Sequence, residues 1–158
     1  MPEIRIVTID FVEATRRMIG LSLSDTWRGH GSAVFLEIGT LIKEPGRNHP
    51  RGEFSVMLDC SWRIERPRSI LVGSFDSYRR IEGQLKRLEG SHVSEVAVYG
   101  VLPEITVSLD SKVRILSFET YESQPAWSLR LPDGRWIGSR NGRIVQKMAE
   151  QIVPPDRR

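Results

Sequence analysis

Glu53-Phe54-Ser55-Val56-Met57-Leu58-Asp59-Cys60-Ser61-Trp62-Arg63-Ile64-Glu65 alternates without a slip. Phe54, Val56, Leu58, Cys60, Trp62 and Ile64 fall on one phase, and Ser55, Met57, Asp59, Ser61 and Arg63 on the other. A period of two belongs to a strand with one buried face. One long strand is therefore predicted over 53–65, with the first set facing the core. Pro67 stops it, because proline cannot donate to a ladder.

Moving outward, 33–43 reads as a strand with Val34, Leu36, Ile38 and Ile42 on one face. Pro45-Gly46-Arg47-Asn48-His49-Pro50 links it to the first as a hairpin-like loop. Ile70-Leu71-Val72 is a short strand. Over 76–89 the period changes: Tyr78, Ile81, Leu85 and Leu88 are helically spaced, with Asp76 as N-cap and Gly90 as C-terminal cap. Sheet then returns, as a Val-rich run 93–101, then Ile105, Val107 and Leu109, a turn at Asp110-Ser111, a strand 112–121, and Trp127, Leu129 and Leu131. Pro132-Asp133-Gly134 is a tight turn into a strand beginning at Trp136. Ile4–Ile9 reads as a strand, followed by a helix that opens on an Asp10/Glu13 capping box and carries Phe11, Ala14 and Met18. A last helix is predicted from Asn141 through Val145, Met148 and Ile152.

Short connections make antiparallel pairs. The predicted fold is α+β, mainly antiparallel sheet in a meander, strongly curved or barrel-like, with one central surface helix and helices near both termini. One domain is expected over 1–153 and a disordered tail over 154–158.

At 158 residues the chain can bury a core without staples. Its single cysteine, Cys60, excludes an internal disulfide. No apolar run approaches the ~18 residues of a spanning helix, and Met1-Pro2-Glu3-Ile4-Arg5 does not open a signal peptide. A cytoplasmic, membrane-free protein is expected. Of the 23 basic residues 19 are arginines, which a GC-rich coding sequence explains more simply than anion recognition. A net charge of +3 with acids interspersed argues against a nucleic-acid partner.

The chemistry-bearing residues are scattered. His30, His49 and His92 lack metal-ligand spacing, so no metal is expected. Cys60 falls on the buried phase, where a thiol is a poor nucleophile. No phosphate loop, nucleophile elbow or dinucleotide fingerprint is present, and no cofactor is expected. Asp59 and Arg63 share the polar face of the long strand. The loop Asp25-Thr26-Trp27-Arg28-Gly29-His30-Gly31 combines an aromatic, a guanidinium and an imidazole. Trp27, Arg28, His30, Asp59, Arg63 and Trp136 are the candidate binding residues.

Over residues 86–136, about a third of the chain, the order of a helix end (Leu85–Gly90), Val-rich strands, Ile105–Leu109, Leu116-Ser117-Phe118 and Trp127-Ser128-Leu129-Arg130-Leu131-Pro132-Asp133-Gly134 resembles small bacterial proteins, some of them similar to immunity proteins of polymorphic toxin systems. These motifs are structural and bring no catalytic residue with them. The resemblance implies a non-catalytic, protein-binding role. Two alternatives stand beside it: an enzyme with a carboxylate site spread over strands, using Asp59, Glu37 and Arg63, and a weak nucleic-acid binder using arginines of the helix at 77–89. Homodimerisation through a sheet edge is compatible with all three.

Overall fold

The computed structural model describes residues 4–5, 8–59, 61–121 and 126–148. Its elements are β1 (Ile4–Arg5), α1 (Thr8–Thr15), a 3-10 turn (Arg16–Met18), β2 (Leu23–Arg28), β3 (Val34–Ile38), β4 (Phe54–Leu58), β5 (Trp62–Glu65) and β6 (Ile70–Gly73). Then follow α2 (Tyr78–Leu88), β7 (Val93–Tyr99), β8 (Glu104–Leu109), β9 (Arg114–Ser117), β10 (Trp127–Arg130), β11 (Trp136–Arg140) and β12 (Arg143–Lys147). The strands form two sheets, ordered β1-β12-β11-β10-β4-β3-β2 and β6-β5-β9-β8-β7, and every pairing is antiparallel. Among the described residues the expected barrel-like closure is absent, and both sheets are open.

The decisive stretch is two strands. β4 ends at Leu58 in one sheet and β5 begins at Trp62 in the other. Phe54, Val56, Leu58, Trp62 and Ile64 are all buried, and Cys60 lies outside the described residues. The alternation survives the crossing because both halves face one shared core. Side-chain period reports the buried face and is blind to which neighbours supply the ladder. Ser55 and Ser61, expected on the solvent face, are buried too. The partner strands are divided in the same way: β9 pairs with β5 in one sheet and β10 with β4 in the other.

Other expectations are corrected by local chemistry. β3 stops at Ile38, where Gly39 turns at φ +87, and Ile42 lies more exposed than buried, its backbone bridged to Arg51. The helix near the start begins at Thr8, so Thr8 and Ile9 leave the predicted strand and Asp10 sits inside the first turn. An acid there still opposes the positive helix end. The Val93–Val101 run is phased by a bulge between Val93 and Glu95, and Val101 is solvent-exposed beyond the strand. Arg114–Ser117 is all that is strand of 112–121. The predicted C-terminal helix is the β11–β12 hairpin, with Ile152 outside the described residues. Asn141 and Gly142 stand at φ 51 and 71, the two left-handed positions of a type I′ turn.

α2 packs Ile81, Leu85 and Leu88 into the core, while Tyr78, expected with them, is exposed. Its N-cap is Ser77, which accepts from Arg80 N–H; Asp76 instead accepts from Gly73 N–H at 2.9 Å. The helix also covers the outer edge of β2. Lys86 Nζ donates to Thr26 O at 2.7 Å, and Thr26 N–H and Oγ1 donate to Glu89 Oε1, each at 2.9 Å. An unpaired strand edge is thus satisfied by side chains.

Two outcomes follow. Leu58→Ala should cost about 2–5 kcal/mol, seen as a lower urea midpoint at unchanged slope. Burial pushes the Glu89 carboxyl up, but its bonds from Lys86 and Thr26 outweigh this and hold it below its ordinary 4.5. A depressed carboxyl contributes stability that is complete above its unfolded value and lost as pH falls through the folded one. Urea titrations of Glu89→Gln should therefore show a deficit that is full above pH 4.5 and shrinks below it.

Candidate functional site

Trp27 and Phe35 are directly opposed in the β2–β3 ladder, and their rings lie parallel, 3.8 Å between centroids at 2°. The loop between β3 and β4 lays His49 on the other face of the indole, at 4.6 Å and 6°. Trp27 is thus the middle ring of three. Trp27 Nε1 donates to Glu37 Oε1 at 3.3 Å, which fixes the indole within its plane. Glu37 is itself buried, its Oε2 accepting from Gly52 N–H at 3.0 Å and from Ser55 Oγ at 2.5 Å.

Arg28, one residue on, turns toward α2. Its guanidinium lies 4.0 Å from the Tyr78 ring centroid, Nε reaches Glu82 at 3.3 Å, and Nη1 donates to the carbonyls of Gly29 and Gly31. Because Ile81, Leu85 and Leu88 point inward, positions 79, 82, 83 and 86 form a flank of the helix. Between that flank and the β2 side runs a cleft of about 410 Å³. Thr26, Trp27, Arg28 and His49 line one wall; Arg79, Glu82, Gly83 and Lys86 line the other.

The charges are mostly paired. Lys86 Nζ meets Asp25 at 3.2 Å and Glu89 at 2.7 Å. Burial pulls the Lys86 ammonium down, yet these acids carry it above its ordinary value, so it stays charged at neutral pH. Among the described residues Arg79 has no ion-pair or hydrogen-bond partner. Gly83 is a helix-interior glycine whose absent side chain would meet nothing within 4 Å.

Of the candidates read from the sequence, Trp27 and Arg28 meet in this cleft. His30 is exposed at the β2–β3 turn and outside the lining. Arg63 belongs to the second sheet, bonded to Glu65 at 2.8 Å and 5.2 Å from the Phe118 ring centroid. Trp136 is on β11, with β10, β4 and β3 between it and β2. The Asp59/Glu37/Arg63 grouping does not form. Glu37 is opposite Ser55, so Asp59 lies four residues farther along, roughly 13 Å at strand spacing.

Sequence reasoning missed His49, Arg79, Glu82, Gly83 and Lys86. The four helix positions carry a legible signal, the i, i+3, i+4, i+7 spacing of one flank. His49 has none, since only the loop's path brings it over Trp27. Among the described residues no three His, Cys, Asp or Glu side chains are grouped to hold a metal ion, and His92 Nδ1 instead faces Asp110 at 3.1 Å. No described helix is long and apolar enough to cross a membrane. No family model, curated protein or solved structure matches the chain.

Proposed function

We propose that the protein is a non-catalytic binding module, immunity-like in engaging a protein partner, with the β2–α2 cleft at the centre of its binding surface. The observation that carries this is the Phe35–Trp27–His49 stack, fixed by Glu37 beside a charged helix flank. Protein interfaces draw most of their energy from a few aromatic and arginine anchors set in pockets. A stack already ordered before binding loses little rotamer freedom when a partner arrives.

The carboxylate-enzyme alternative fares less well. A general base needs a free lone pair near the reacting group. Glu37 spends its carboxylate on three donors from its own scaffold, and Asp59 stands at the other end of β4.

The partner to try is the product of any toxin-like gene found beside this one. Calorimetry should show tight binding, weakened roughly tenfold or more by Arg28→Glu, measured at a temperature where circular dichroism shows the variant fully folded. Full affinity in that variant would move the interface elsewhere. Reproducible turnover of phosphoester, ester, peptide or glycosidic substrates, lost in a folded Asp59→Ala variant, would replace binding by catalysis.

A further inference from the structure

Resting on the reading of the cleft as the binding surface, we propose that its occupant is an acidic, aromatic side-chain group of a protein partner: a planar ring with one carboxylate close by.

The ring follows from the stack. Phe35 covers one face of Trp27 and His49 covers the other, so the indole has no face left to offer. His49 has one face on Trp27, and among the described residues no second ring lies on it. It also lines the cleft. A planar group entering there extends the stack by one ring at the offset-parallel spacing aromatic pairs prefer.

Gly83 supplies the room. Glycine in a helix interior costs about 1 kcal/mol relative to alanine, and close packing does not require it here, since its absent side chain faces open space. Its position in the wall across from His49 leaves the helix backbone bare where a flat ring needs clearance.

The single carboxylate follows from the charges. Arg28 is neutralised by Glu82, and Lys86 by Asp25 and Glu89. Of the arginines and lysines that line the cleft, Arg79 alone has no ion pair among the described residues, and its planar fork fits a carboxylate in bidentate fashion. Its unused donors offer a place for one carboxylate, inside a cluster whose other charges are already engaged. A dianionic phosphate would bring a second charge against Glu82, which favours a protein's carboxylate over a nucleotide.

The test uses the full chain, isotope-labelled for NMR, and small probes. N-acetyltryptophan, which carries ring and carboxylate, should shift the Gly83 amide and the Trp27 indole N–H. N-acetyltryptophan amide, ring without charge, should bind roughly three- to fivefold more weakly, and acetate alone should leave both signals in place. Arg79→Ala should abolish the preference for the acid, His49→Ala should weaken both ring probes, and Gly83→Leu should block them. Gly83→Ala, which fits the helix, should keep binding and raise the melting temperature. Equal affinity of acid and amide, unchanged binding in Gly83→Leu, or tighter binding of adenosine monophosphate would overturn the proposal. Should the proposal fail in this way while a protein partner identified by calorimetry still loses affinity in Arg28→Glu, the cleft remains the interface and only its occupant's chemistry is wrong.

Discussion

A carboxylate taken out of water must find donors, and Glu37 is that carboxylate. Buried on β3, it would cost several kcal/mol if left unpartnered. It draws Trp27 Nε1 from β2, Gly52 N–H from the loop and Ser55 Oγ from β4. Three elements are thereby fixed around one side chain. The indole cannot rotate without leaving a lone pair unsatisfied, and the loop that delivers His49 cannot lift without freeing Gly52. Among the described residues no buried side-chain polar atom is left without a partner. The rigid aromatic wall of the cleft is thus a by-product of satisfying an acid beneath it.

A similar arrangement is built in the other sheet. Glu104, buried on β8, accepts from the Ser117 hydroxyl and from Glu119 N–H, and Tyr99 donates to the Ser117 carbonyl at 2.5 Å. Burial, with Glu104 nearby, pushes the Tyr99 phenol up, so it remains a donor. Each sheet is knitted by a glutamate–serine contact between neighbouring strands.

Much of this architecture was legible, and what escaped did so for definable reasons. The core residues of 54–64 announced themselves, because one-sided burial writes itself as alternation. That the run is one sheet's strand up to Leu58 and the other sheet's from Trp62 left no trace, because the buried residues on both sides keep the same phase. The Asn141-Gly142 pair is the strongest local hairpin signal there is, yet the apolar spacing of Val145, Met148 and Ile152 imitates a helix and competed with it. Trp27 and Arg28 were legible as a site because anchors of those types side by side stand out, although the segment read as a loop is strand β2 as far as Arg28. Their partners were not, since Glu37 and His49 come to Trp27 through ladder register and loop path, which no spacing rule encodes.

The cover on β2 has a further implication. Its outer groups are satisfied by an ammonium and a carboxylate, where a neighbouring strand would normally supply backbone. Side-chain partners can be withdrawn by a small helix displacement that breaks no ladder. The groups then uncovered on Thr26 are those an incoming extended peptide pairs with. The same withdrawal in a crowded solution invites a second molecule to zip onto the first. The exposure of this one edge is therefore set by how α2 is docked.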